Sequence, residues 1–585
     1  MNLVKNGTSP YQIILPVNAA PAERYAASEL SHFLARMTGV ELPVYGEHMP
    51  KMGPEVLIGH SRRTEALGLE TQNLGEEAYS IAVKDGNLVI IGGSPRGTLY
   101  GVYGFLQDVL GFRFFAPGCT KVPKSSDITL DPALYLHDEP DFKYRESNYY
   151  HILDGATAAR MRQNGAISRL KEEHGGKHAY VPGYYVHTFV TMLPPEEYYE
   201  EHPEYFALVN GKRTNEPHGK VCMTNPDVLK ICTEKALAAL RAHPEATIIS
   251  ISQNDGMDPC ECEECQKVVA YEGSESGSIL HFVNAVADAV AAEFPHVMVD
   301  TLAYVYSSKP PLHVKPRPNV QIRLCSYECC FTHPMGTCDL MPNNARHIRE
   351  HSKFAEEIVG WGKLTNRLAI WDYVVDFEFY NQMHPNLHVL GPNMRFLKEH
   401  NVYSVFCESQ GQGAGGEFAE LRAYLLTRLM WDVNFDTDVG IQEFCDEWFG
   451  PASEFIQEYI AMITDAVLKS GWHLNLFDNP NAPYVTPALL EKADELFDKA
   501  EAAVADDTVR LQRVRKERLA VRFAKFFFPG LVSDREAEVE AYMADAASLG
   551  VTRFSAKWGR ENVRRLALRG MWPPHADDMT VIPDR

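Results

Sequence analysis

No stretch of this 585-residue chain reaches the roughly 18 consecutive apolar residues that a membrane-spanning helix needs. Its N-terminus, MNLVKNGTSPYQIILP, lacks the apolar core of a secretory leader. Positive charge is in short supply. The 56 Lys and Arg are outnumbered by 78 Asp and Glu, and the formal net charge of -22 argues against nucleic acid or an anionic membrane as a partner. Internal repeats and low-complexity tracts are absent. So are the G-x-S-x-G and Walker patterns that would announce a nucleophile elbow or a P-loop.

Cysteine is not scarce. Twelve are present, with Cys260, Cys262 and Cys265 clustered and Cys329 beside Cys330. A chain this large does not need disulfides to hold a core, so the expected compartment is a reducing cytoplasm. Thiolates at the C-x-C-x-x-C spacing can share one zinc ion, and Cys222, Cys329 or Cys330 could add a fourth ligand. The usual paired C-x-x-C spacing is missing, however. The favoured reading is therefore a set of reduced thiols stiffening a loop, with no metal or cofactor expected.

With 45% apolar and 23% charged residues the chain is globular, and its length predicts about three domains. Residues 1–135 alternate strands and helices. Strands are expected at 11–16, 56–59, 79–83 and 88–91, the last two flanking an Asp85-Gly86 turn. Helices are expected at 21–37, which opens on Pro21 and is followed by Gly39, and at 98–110. From 136 to 434, apolar strands recur at 144–148, 184–189, 221–224, 248–252, 297–303, 320–326, 368–371 and 403–407. The segment 278–294 carries its apolar residues on one helical face. Eight strands with intervening helices fit an α/β fold built on a (β/α)8 TIM-like barrel. Residues 435–585 read as a C-terminal helical domain, with helices at 443–449, 454–470, 487–504 and 508–528. The basic residues Arg510 to Arg522 read as a solvated helix face.

Barrel enzymes keep their chemistry at the C-terminal mouths of their strands. Four predicted mouths carry carboxylates: Asp255 after IISIS, Glu328 after QIRLCSY, Asp372 with Asp376 and Glu378 in AIWDYVVDFEF, and Glu408 in VFCESQG. Glycosidic cleavage commonly uses two carboxyl groups across the sugar ring, and crowded carboxylates push one another's pKa apart. Tyr304, Tyr306, Tyr327, Trp371 and Tyr373 lie beside them and suit stacking on sugar C–H faces. Gly411, Gly413 and Gly416 match G-x-G-x-x-G, but no second strand follows to complete a βαβ unit, so they read as a loop at the barrel mouth.

Three segments carry a resemblance: YYVHTFVTMLPPEEYYEEHPEYFALVNGKR (184–213), SQNDGMDPCECEECQ (252–266) and FCESQGQGAGGEFAELRAYLLTRLMWD (406–432). They resemble proteins grouped as domain of unknown function 4838, which include glycoside hydrolase family 163, the endo-β-N-acetylglucosaminidases of complex N-glycans. RGTLYGVYGFLQDVLGFRFFAP (96–117) is similar to the accessory domain that precedes the barrel in β-hexosaminidases and α-glucuronidases. The resemblance implies a glycan substrate and a retaining mechanism in which the substrate's 2-acetamido oxygen attacks the anomeric carbon. In hexosaminidases the catalytic pair is an adjacent Asp-Glu after strand four, where this chain has Asn254-Asp255. The expected roles are Glu328 as acid/base and Asp255 orienting the acetamide or sharing that role. Asp372 and Glu408 would support these or bind sugar, and His187 and Asn254 would bind hydroxyls. A competing reading is an α-glucuronidase-like hydrolase, which wants a cation at the mouth and has Arg323 and Lys309 in the right region. A third is a non-catalytic glycan-binding barrel.

Overall fold

The computed structural model describes residues 1–69, 74–216, 219–338 and 354–571. The chain forms two compact units, one of residues 1–177 and 419–450 and one of residues 178–418 and 451–585. No helix among the described residues is long and apolar enough to cross a membrane.

The first unit is built on a six-stranded mixed sheet. Its spatial order is Tyr135–Asp138, Tyr79–Lys84, Asn87–Gly92, Glu55–Ile58, Gln12–Leu15 and Val44–Gly46. The Asp85-Gly86 turn has φ of 49° and 75°, the double left-handed geometry that matches the twist of a two-residue hairpin. Helix Pro21–Thr38 has Pro at its start, Glu23 accepting from the Ala20 amide at 2.8 Å, and Gly39 closing it at φ 80°. Helix Gly97–Gly104 lies against Tyr79 so closely that a Cβ on Gly104 would stand 2.3 Å from the tyrosine oxygen. Beneath the sheet, Glu77 bridges Arg96 and Arg145 at 2.6 Å each and also accepts from Asn164. Burial pushes the Glu77 carboxyl up, but the two guanidiniums outweigh it and hold the pKa at about 2. The predicted strand at 144–148 forms as Tyr144–Ser147 in this unit, and helices Ala419–Trp431 and Thr437–Phe449 complete it.

The second unit contains five parallel strands: Ile248–Ser250, Met298–Ala303, Val320–Cys325, Leu368–Tyr373 and Val402–Glu408. Each pairs with its neighbour in sequence, for example Ile249 with Val299 and Ile322 with Leu368. Three of them, Ile248–Ser250, Val320–Cys325 and Leu368–Tyr373, are buried along their whole length, as in a parallel sheet covered on both faces. Helices Glu263–Glu272, Glu275–Glu293, Phe354–Leu364 and Leu387–Glu399 make crossovers. The result is a curled half-barrel of the (β/α)8 type, in agreement with the predicted fold class.

Two predicted strands do not form. Residues 184–189 are irregular: Gly183 and His187 take φ of 80° and 53°, which breaks the extended run, and Phe189–Met192 is a short helix. The chain touches the sheet just earlier, where Tyr180 bridges to Ile248 in parallel. At 221–224 only Val221 makes a bridge, to Phe206, because Asn225 at once caps helix Pro226–Ala242. Beyond residue 450 the unit is helical, with Phe523, Phe526, Tyr542 and Leu566 in its core. Arg515 and Arg518 of helix Thr508–Lys525 pair with acids of helix Pro487–Ala503, as Arg515 does with Glu501 at 2.9 Å. The glycine-rich loop packs tightly instead of opening a phosphate cradle. Its Ala414 and Gly416 amides donate to Thr552 and Gln410, and a Cβ on Gly413 would lie 2.6 Å from that of Arg553.

Candidate active site

A cavity of about 590 Å³ opens within the second unit, at the C-terminal ends of the parallel strands. Successive strands deliver its lining: Asp255 follows the first, Tyr304 the second, Tyr327 the third, Trp371 and Tyr373 end the fourth, and Glu408 ends the fifth. His187 enters from the irregular segment, and Phe477 and Lys557 come from the helical region. Strand alternation explains one detail. Trp371 and Tyr373 face the cavity, so Asp372 between them does not.

Among the described residues, two carboxylates line this space. Glu408 accepts from the Trp371 indole N–H at 2.7 Å. Burial is the main cause that pushes its pKa up to about 7. The indole bond opposes the rise and the charge of Asp255 adds to it. Asp255 is exposed to the cavity and accepts from the Tyr304 hydroxyl at 3.2 Å. Burial, then the neighbouring Asp255, raise the Tyr304 hydroxyl, which therefore stays a donor. His187 Nδ1 lies 2.8 Å from the Gln253 carbonyl, so that nitrogen carries the hydrogen and Nε2 is left as an acceptor. Burial lowers the His187 pKa and favours this neutral form, against the raising effects of the Gln253 bond and Asp255. Gln253 is itself held, donating to the Tyr304 carbonyl and accepting from Ser307.

The structure therefore brings His187, Asp255, Tyr304, Trp371, Tyr373 and Glu408 together on one cavity. Glu328 is not among the lining residues, although its neighbour Tyr327 is. Asn254 is a structural peg, donating to the Gly219 carbonyl at 2.7 Å and accepting from the Val190 amide at 2.9 Å. Asp372 lies beneath the cavity, accepting from Ser326 Oγ at 2.7 Å and the Tyr373 amide at 3.0 Å, and burial raises its pKa to about 6. Asp376 accepts from the Asp478 and Phe379 amides, and Glu378 from the Trp558 indole. Tyr306 also stays out of the lining.

The cations read from the sequence are engaged elsewhere. Arg323 is buried in an ion pair with Asp300, with Tyr180, Tyr185 and Trp371 rings around its guanidinium. Lys309 donates to the Gly273 carbonyl at 2.8 Å. Among the described residues, the cation that does reach the cavity is Lys557, whose ammonium sits 3.8 Å from the Phe477 ring centroid. Nothing in its local sequence points to this role, because the convergence is purely tertiary.

The family model described as domain of unknown function (DUF4838) matches residues 114–461, more than half of the chain. The chain belongs to this family. Residues 2–105 of this DUF4838 protein match the model described as glycosyl hydrolase family 67 N-terminus. No curated protein matches the sequence. The solved structures it is similar to include glycoside hydrolases. One is BtGH115A, described as a GH115 4-O-methyl-α-glucuronidase with specificity for decorated arabinogalactans. It aligns with TM-score 0.56 and 12% identity over 92% of this chain and 76% of that one. At that identity the likeness concerns the fold alone. CpGH84B aligns with TM-score 0.43 and 12% identity over 97% of each chain. A Clostridium perfringens CpGH89 variant in complex with GlcNAc-α-1,4-galactose aligns with TM-score 0.45 and 11% identity, over 94% of this chain and 69% of that one.

Proposed function

We propose that this protein is a glycoside hydrolase that cleaves a β-linked N-acetylhexosamine in a glycan, with residues 136–434 supplying most of the catalytic barrel. The observation that carries this reading is the carboxyl pair of Glu408 and Asp255 on one aromatic-lined cavity, with Glu408 titrating near neutrality. A carboxyl at about 7 is protonated in a useful fraction of molecules at working pH, which suits a general acid. The acid role assigned from sequence to Glu328 therefore passes to Glu408.

In this reading Glu408 gives its proton to the glycosidic oxygen while the substrate's acetamide oxygen bonds to the anomeric carbon and the leaving alcohol departs. Asp255 accepts the acetamide N–H and stabilises the positive charge of the cyclic intermediate. Glu408, now ionised, takes a proton from the water that opens that ring, which restores the starting state and retains the anomeric configuration. Trp371, Tyr373 and Tyr327 offer faces to the sugar C–H groups, and His187 Nε2 accepts a hydroxyl. None of the twelve cysteines is in a disulfide, in keeping with a reducing compartment.

One observation favours the alternative, an α-glucuronidase-like hydrolase of uronic acid linkages. Lys557 places an ammonium on the cavity, where it would meet a uronic acid carboxylate. Turnover of aryl β-N-acetylglucosaminide, aryl glucuronide and a complex N-glycan, each with Glu408→Gln, Asp255→Asn and Glu328→Gln, separates the readings. The N-acetylhexosaminidase reading expects the first or third substrate to be cleaved, inhibition by a thiazoline mimic of the cyclic intermediate, and loss of turnover in the first two variants. Cleavage of the glucuronide alone selects the uronate reading, and glycan binding without product selects a binding barrel.

A further inference from the structure

Two clusters of soft side chains lie outside the cavity. In the first, the sulfurs of Cys222, Cys260, Cys262 and Cys265 all fall within 4.8 Å of one another. Cys222 Sγ is 3.7 Å from Cys262 Sγ and 3.8 Å from Cys265 Sγ. A disulfide would need about 2.05 Å. Four thiolates arranged tetrahedrally around zinc at about 2.3 Å stand about 3.8 Å apart. The thiols come from separate stretches: Cys222 precedes helix Pro226–Ala242, Cys260 and Cys262 follow strand Ile248–Ser250, and Cys265 sits in the first turn of helix Glu263–Glu272.

Their surroundings suit negative sulfur. The Leu208 amide donates to Cys260 Sγ at 3.4 Å, the Arg213 guanidinium approaches the same sulfur at 3.9 Å, and Thr224 Oγ1 lies 3.2 Å from Cys265 Sγ. The apolar residues at this spot are few: Ala207 is buried and Leu208, Val209 and Met223 are partly so. Reduced thiols can pack as small hydrophobes, but that role does not explain four sulfurs meeting at one point in a region with so little core.

We propose that these four cysteines bind a structural zinc ion. The loop it would brace runs from Asp255 to Cys265 and so carries one wall of the cavity. This proposal does not depend on the cavity's chemistry.

A second cluster carries a second zinc proposal independently. One ligand atom from each of Cys330, His333, Cys338 and His473 lies within 4.8 Å of the others. Cys330 Sγ is 3.3 Å from His333 Nδ1 and 3.2 Å from His473 Nδ1, and Cys338 Sγ is 3.3 Å from His473 Nδ1. Two thiols and two imidazoles form a common donor set for a closed zinc site. This cluster joins the loop after Val320–Cys325 to the one after Ser453–Ser470, which the backbone also links through Phe331 N–H to the Leu474 carbonyl at 2.9 Å. Those loops hold Tyr327 and Phe477, two aromatic walls of the cavity.

The test is metal content of the full chain, purified without an affinity tag and equilibrated with zinc under reductant, together with zinc-edge X-ray absorption. The expected result is two zinc ions per chain with an average shell of three sulfurs and one nitrogen. Cys262→Ser should lower the count to one and leave a mixed sulfur–nitrogen shell. His473→Ala should lower it to one and leave sulfur only. Should either variant fail to fold, stepwise zinc release from the wild type on titration with a mercurial gives the same count. One zinc in an all-sulfur shell overturns the second site, and one in a mixed shell overturns the first. A folded chain that retains no zinc overturns both.

Discussion

Replacing Trp371 with Phe removes one hydrogen bond from the Glu408 carboxylate and keeps an aromatic ring in its place. The indole N–H donates at 2.7 Å to an oxygen that carries charge only when Glu408 is ionised, so the bond favours the ionised form. A hydrogen bond to a charged group contributes about 1.5 kcal/mol or more, and about 1.4 kcal/mol corresponds to one pKa unit. Starting from about 7, the Glu408 pKa should therefore rise by about one unit in Trp371→Phe. Asp255→Asn should move it the other way, because the Asp255 charge raises it. A general acid works while protonated, so the alkaline limb of the kcat/KM profile should shift to higher pH in the first variant and to lower pH in the residual activity of the second. An alkaline limb that stays put in both variants, or shifts in the same direction, would show that Glu408 is not the acid.

Other consequences follow from the same geometry. Glu408→Gln should lower kcat by about 10²–10⁴-fold, the range for a lost general acid, whereas Glu328→Gln should stay within a few-fold of wild type; steady-state kinetics on one substrate compares them. Lys557→Ala should raise KM for a uronide far more than for an N-acetylhexosaminide, and equal effects would remove the one support for the uronate reading. Glu77→Gln should destabilise the first unit by roughly 3–5 kcal/mol in urea denaturation, because it leaves two buried guanidiniums without their carboxylate. The folded-state Glu77 value lies below its ordinary 4.5, so its stabilisation is complete above that pH and fades as pH falls toward 2. Gly104→Ala should cost about 1–3 kcal/mol by driving a methyl into Tyr79, and an unchanged melting curve would show that the helix can shift freely.

Local pattern reached most of the elements. The helix opening on Pro21 and closed by Gly39, the Asp85-Gly86 hairpin and the five parallel strands form as their residues predict, because each signal is contained in one short segment. The errors arise where a single backbone conformation or a distant partner decides. An apolar run containing His187 reads as strand until that residue turns left-handed. Glu328 and Glu408 look equivalent in sequence. Yet Glu408 ends its strand and lines the cavity, while Glu328, three positions beyond Cys325, stays out of the lining that its neighbour Tyr327 enters. Cys222, Cys329 and Cys330 are equally eligible from sequence as the fourth thiol, and only the fold selects Cys222. Cys330, His333 and Cys338 lie close together in sequence, but His473 stands 135 residues beyond Cys338 and only the fold adds it. Lys557 and Phe477 were invisible for the same reason.

The distance along the chain from His187 to Lys557 has a consequence for synthesis. The cavity cannot close on the ribosome until almost the whole polypeptide has emerged, because one wall is made early and another very late. Until then, parallel strands already paired with their sequence neighbours lack the late helical region that walls the cavity, and such long-range contacts are slow to form and leave apolar surface exposed. A gene fragment ending near residue 450 would encode every parallel strand and still lack Phe477 and Lys557. Such fragments should therefore precipitate or bind chaperones.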